Sequence, residues 1–222
     1  SEQGVLALCY DIVNSLPTES RAPKPLHIRW ALSAERIEKR YFSQLETARL
    51  IAEKFHESGI RFFILKGLAV SRYYPSPSKR ECGDIDCFLA GDYDKGNEVA
   101  KSMGAEVDCG FYKHSHITYR GTLIENHRFC TAIRGSRSAK ELEKHLQTLI
   151  ADSQPEQIEG TYLMIPPADF NAVFLSRHAL FHFLSEGITL RHIADWHCFL
   201  KARQNDVDWE SVNRVLEQHD IK

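Results

Sequence analysis

The chain has 222 residues, 43% of them hydrophobic and 26% charged, ordinary values for a globular chain with a buried core. A formal net charge of −2 carries no basic excess, which argues against long nucleic acid as a partner. No run approaches the roughly 18 apolar residues of a membrane span, and the N-terminus lacks the basic stretch of a secretion signal. The six cysteines form no C-x-x-C pair and read as reduced thiols of a cytoplasmic protein.

In chain order, residues 5–14 read as a short helix and "PTESRAPKP" as a linker, because its three prolines disfavour regular structure. From Ser33 to Glu57, apolar Ile37, Tyr41, Leu45, Ala48, Ala52 and Phe55 recur at three or four. That spacing predicts an amphipathic helix, with Gly59 placed to stop it. "IRFFIL" is apolar on both faces and predicts a central strand. "GLAVSRYY" reads as a helix ending before Pro75, "SPSKRECG" as a loop, "DIDCFLA" as a strand and "DYDKGNEVAKSMG" as a helix ended by Gly104. "HITYRGTLIENHRF" predicts two strands joined at Gly121-Thr122, and "SRSAKELEKHLQTLIADS" a helix. After "PEQIEGTYLMIPP" only helices are expected, over about 167–185, 189–204 and 208–219, the last capped by Asp208. The predicted division is a helical N-terminal segment over 1–57, an α/β core over 58–160 and a helical C-terminal subdomain over 161–222. The class is α+β, a small mixed β-sheet flanked by helices.

Strand alternation puts Asp84, Asp86 and Phe88 on one face of their strand and Ile85, Cys87 and Leu89 on the other. Two carboxylates about 4 Å apart repel by roughly 4 kcal/mol at an effective dielectric near 20. A protonated partner, full solvation or a cation between them relieves that cost, and hard cations such as magnesium prefer carboxylate and phosphate oxygens. "TLIENHRF" supplies a third acid, Glu125, with His127 pointing the same way. Upstream, Lys66-Gly67 ends a strand and opens a helix, where backbone N–H groups and a lysine charge suit a phosphate. Taken singly, each feature has an ordinary explanation: a solvated strand start, an edge glutamate, a plain turn. Their order in the chain predicts a nucleotide-phosphate site with a metal clamp.

That order, with "ILKGLAVSRYYPSPSKRECGDIDCFL", "LIENHRF", "RHALFHFL" and "LRHIADWHCFL", resembles a bacterial nucleotidyltransferase family of the DNA polymerase beta-type superfamily. The likeness covers roughly residues 35–222 and is most specific over 64–89. It implies a nucleotidyltransferase-like sheet, with Asp84 and Asp86 as ligands of magnesium or manganese and Glu125 as third carboxylate. Lys66, Gly67, Arg80 and His127 would serve the nucleotide. The implied reaction moves a nucleoside monophosphate from a nucleoside triphosphate to an acceptor hydroxyl, on a small molecule or a protein, and releases pyrophosphate. Leu68 stands where the superfamily usually has Ser or Gly, and this motivates an alternative: a catalytically silent nucleotide- or partner-binding module.

His178 and His182 share a helix face, with His192, Asp195 and His197 further on. "HALFH" lacks the glutamate of a metalloprotease motif, and lining of the nucleotide cleft is preferred over a dedicated zinc site. A metal-dependent phosphohydrolase built on these histidines is a third, weaker alternative.

Overall fold

A computed structural model provides the fold and describes residues 2–221. The α-helices are Leu6–Asn14 (α1), Lys24–Glu57 (α2), Gly67–Ser71 (α3), Tyr93–Ser102 (α4), Arg137–Ala151 (α5), Ala168–Ser185 (α6), Leu190–Arg203 (α7) and Trp209–Gln218 (α8). The strands are Phe62–Leu65 (β1), Ile85–Phe88 (β2), Glu106–Asp108 (β3), His114–Tyr119 (β4), Thr122–His127 (β5), Glu156–Gln157 (β6) and Leu163–Ile165 (β7). They form one sheet in the order β3-β4-β5-β2-β1-β7-β6. It is mixed: β1 runs antiparallel to β2 and parallel to β7, and β2 runs parallel to β5. This is the expected mixed sheet flanked by helices.

Alternation along the central strands divides the core in two. Phe62, Ile64, Ile85, Cys87 and Leu89 pack with Ile51, Ala52 and Phe55 of α2. Phe63, Leu65 and Phe88 face the other way, onto Leu146 of α5, Phe170 and Phe174 of α6 and Phe199 of α7. Both faces of β1 and β2 are therefore covered, which explains the unbroken apolar run of β1. The Asp84 and Asp86 positions lie on the face that looks toward the C-terminal helices.

Several boundaries differ from expectation. Helix α2 begins at Lys24 rather than Ser33, because Pro25 falls in the first turn, where its missing N–H leaves no bond unmade. Its far end is the expected one: Gly59 adopts φ 72°, its N–H bonds the His56 carbonyl and the Ile60 N–H bonds the Phe55 carbonyl. The β4–β5 turn is Arg120-Gly121, with φ 52° and 73°, so Thr122 is already in the strand and pairs with Tyr119. Strands β3, β6 and β7 were not expected. Residues 163–165 come from beyond the division drawn at 160, yet they pair with β1.

Candidate active site

Sheet register assembles the site. In the parallel β2–β5 pair, Asp86 lies opposite Glu125 and Phe88 opposite His127. In the β4–β5 hairpin, His116 lies opposite Glu125 and His114 opposite His127. Period-2 alternation then brings Asp86, Glu125, His127, His114 and His116 to one face. The opposite face is closed by a separate buried network, in which Asn126 and Ser115 bond the Asn97 side chain of α4.

Asp86 is the most enclosed acid, 2% exposed. Its Oδ1 receives Lys66 Nζ at 3.1 Å and His127 Nε2 at 3.0 Å. The same His127 Nε2 lies 3.3 Å from Glu125 Oε2, while its Nδ1 lies 3.2 Å from the Phe129 carbonyl. Hydrogen bonds from both nitrogens require an imidazolium. Burial pulls the His127 pKa down, but the bonds to Asp86 and Glu125 outweigh it and the net direction is up. Burial raises Asp86, yet Lys66 and His127 reverse that and hold its carboxyl well below the usual range. Glu125 is lowered in the same way: burial opposes, and the His127 bond wins over repulsion from Asp86.

Asp84 behaves differently. Burial and the neighbouring Asp86 push its pKa up; the Lys66 charge opposes them and Glu125 adds to the push, so the net direction is up. Among the described residues it has no ion-pair partner. Its position is fixed from behind, where Gln44 Nε2 donates to the Gly83 carbonyl at 2.7 Å and Arg40 donates to the same oxygen. A carboxylate without an ion pair beside two others is a donor set that fits a hard divalent cation.

Lys66 joins β1 to α3 at φ 39°, ψ −142°, a region that side chains other than glycine's rarely adopt. Gly67 follows at φ 38°, and the nearest atom to a Cβ placed there is the Asp84 carbonyl oxygen at 3.8 Å. Above this turn opens a cleft of about 410 Å³ between the sheet and α6. Lys66, Lys113 and His127 line one side, and Phe174, Arg177 and His178 the other. Burial, then repulsion from Lys66, lowers the Lys113 pKa.

The structure thus brings together Asp84, Asp86, Glu125, Lys66, Gly67 and His127. Arg80 does not join them, and its assignment to the phosphate is corrected. Its Nε and Nη2 each donate to Asp195 of α7 at 2.7 Å, and Tyr74 Oη donates to the same carboxylate at 2.6 Å. At 4% exposed, with its fork already occupied, the guanidinium acts as a buried strut. The expectation for His178 and His182 is met in that both line the cleft. Sequence reasoning missed Lys113, Arg177, His114 and His116. The last two sit at alternate positions of "KHSH", a pattern that points them to the Glu125 face once the hairpin register is known.

Residues 1–222 match a family described as "Uncharacterised nucleotidyltransferase". No curated protein matches the sequence. Among solved structures, the chain resembles the crystal structure of ANT(2″)-Ia in complex with adenylyl-2″-tobramycin, with a TM-score of 0.54 at 12% identity over 80% of this chain and 97% of that one. The solution structure of the antibiotic-resistance factor ANT(2″)-Ia aligns at 0.53 and 12% identity, over 78% and 90% of the two chains. An antigenic nucleotidyltransferase-like protein from Paracoccidioides brasiliensis aligns at 0.48 and 17%, over 72% and 77%. At these identities the likeness concerns the fold. No helix among the described residues is long and apolar enough to cross a membrane.

Proposed function

Because the chain belongs to this nucleotidyltransferase family, we propose that it transfers a nucleoside monophosphate from a nucleoside triphosphate to an acceptor hydroxyl, releasing pyrophosphate. The observation that carries the reading is the β2–β5 register, which sets Asp86 against Glu125 beside Asp84, whose pKa is raised. Magnesium or manganese held by Asp84, Asp86 and Glu125 would neutralise triphosphate charge and make the acceptor hydroxyl more acidic. Lys66 contributes a positive charge for phosphate, and Gly67 lets phosphate oxygens approach the backbone. His127 holds Glu125 ionised and aimed, so that it can take the acceptor's proton. The acceptor oxygen then bonds the α-phosphorus as the bond to the pyrophosphate oxygen breaks. The aromatic and basic lining of the cleft favours an acceptor with apolar or anionic character, on a small molecule or a protein. A cytoplasmic setting belongs to the same reading, supported by six cysteines that are all unpaired.

A second reading, nucleotide binding without turnover, draws on Leu68. Its side chain is buried in the α2 core, so this position offers no hydroxyl to phosphate.

The test is calorimetric titration of the full chain with ATP and GTP, with and without magnesium, followed by pyrophosphate release against a panel of hydroxyl acceptors. Nucleotide binding should require the divalent ion, and Asp84→Asn should weaken it at least about tenfold without lowering the melting temperature. A folded chain that binds no nucleotide at millimolar concentration with magnesium overturns both readings; binding without pyrophosphate release selects the second.

A further inference from the structure

Outside the carboxylate site, one cluster of side chains has no role in the reaction above. His178 and His182 stand one turn apart on α6, and His192 is the third residue of α7. Their ring centroids are 4.5 Å, 5.5 Å and 4.8 Å apart for the pairs 178–182, 178–192 and 182–192. One ring nitrogen from each lies within 4.8 Å of the other two.

Two of the rings are held at one edge. His182 Nδ1 lies 3.4 Å from Glu186 Oε2, an imidazole–carboxylate pairing that orients metal-binding histidines and strengthens them as ligands. His192 Nδ1 is 3.1 Å from the Thr189 backbone nitrogen and 3.0 Å from Thr189 Oγ1. Its Nε2 is buried and has no hydrogen-bond partner, in a residue only 6% exposed. With Nδ1 accepting from the Thr189 N–H, Nε2 carries the ring proton; an unpaired buried polar atom costs about 1–3 kcal/mol, which an ion taking the place of that proton recovers.

We propose that His178, His182 and His192 form an all-nitrogen centre for a divalent transition ion of the zinc type, with its remaining coordination position open to the cleft. Imidazole nitrogen suits zinc, cobalt or nickel, whereas magnesium keeps to oxygen. Three protein ligands with one position left free is the pattern of reactive zinc sites. The opening follows from His178 and His182, which line the cleft that Lys66 also lines. An anionic oxygen, from phosphate or from an ionised acceptor, is the ligand that position would take. Protonation does not compete at His178 or His192 at neutral pH. Burial, then Lys66 and His182, lowers His178 to about 2, and burial, then His182 and Arg191, lowers His192 to about 4. Metal binding requires the His192 ring proton to leave Nε2: it moves to Nδ1 and is donated to Thr189 Oγ1, which changes from donor to acceptor, while the Thr189 backbone N–H gives up Nδ1 as its acceptor.

The test needs no nucleotide. Untagged full chain, stripped with chelator and returned to millimolar magnesium, is titrated with cobalt(II) and followed by visible absorption. One equivalent should bind with the bands of a low-coordinate nitrogen site and be displaced by zinc. His178→Gln and His182→Gln should each weaken binding at least about 100-fold, and Glu186→Gln roughly tenfold. Asp84→Asn and His114→Gln should leave it unchanged, with circular-dichroism melts showing that every variant is folded. Absence of stoichiometric binding by folded chain, binding undiminished in both histidine variants, or binding lost in His114→Gln overturns the proposal.

Discussion

Lys66 holds a backbone conformation at φ 39°, ψ −142° that costs a side-chain-bearing residue about 1–3 kcal/mol. Its ammonium meanwhile answers Asp86 at 3.1 Å. The two contributions can be separated. Lys66→Ala and Lys66→Gly both remove the ammonium, but only glycine adopts that backbone freely. The glycine variant should be the more stable by about 1–2 kcal/mol in urea denaturation, with nucleotide affinity reduced equally in both. Equal stabilities would mean that the turn relaxes when the ammonium is gone. The carboxylates divide in a similar way. From sequence, Asp86→Asn looks harmless, since it removes one of two like charges. In the structure Asp86 receives both Lys66 and His127, so that substitution takes the ion-pair partner from Lys66 and leaves His127 with Glu125 alone. Asp84, whose pKa is raised by burial and by Asp86, is the position where loss of charge relieves the fold.

Between elements, the Arg80–Asp195 pair ties the loop before β2 to α7, with Tyr74 Oη bonded to the same carboxylate. Breaking a buried pair from one side leaves an uncompensated charge and costs about 3–5 kcal/mol. Arg80→Met and Asp195→Leu should each destabilise by that order, and the double variant should recover much of the loss, read as a double-mutant cycle in denaturant. Additive losses would mean that the pair contributes nothing as a pair. This contact also marks where sequence reading ends. An arginine shortly before an Asp pair can be seen in the sequence; a partner 115 residues away cannot. Strand β1 was legible because burial on both faces leaves an unbroken apolar run, and β2 and β5 because Asp86 and Glu125 interrupt apolar residues. Strands β6 and β7 were not, because two and three residues carry no period. The histidines around Glu125 depend on the hairpin turn. Placing it at Gly121-Thr122 rather than Arg120-Gly121 keeps the faces but slides the pairing by two residues, setting Thr118 instead of His116 opposite Glu125.

Across the whole molecule, the site draws on β1, β2, β5 and α6, and no single stretch of sequence holds it. The inner edge of β1 is occupied by β7, with Phe62 opposite Leu163 and Phe63 opposite Met164. The face carrying Phe63, Leu65 and Phe88 is covered by α5, α6 and α7. A fragment ending at residue 160 would retain every proposed carboxylate and lose β7, α6 and α7, with α5 alone left over that face. It should aggregate in light scattering and bind no nucleotide; a soluble, folded fragment that binds with magnesium would contradict this.

The late arrival of β7 bears on how the chain is made. Translation is vectorial, at about 5–20 residues per second, so β1 and β2 leave the ribosome seconds before the strand and helices that complete them. Through that interval Phe62–Leu65 offers bare backbone to any neighbouring chain. Chaperone engagement of nascent chains should therefore peak while β1 is still waiting for its partner and fall once α6 has emerged.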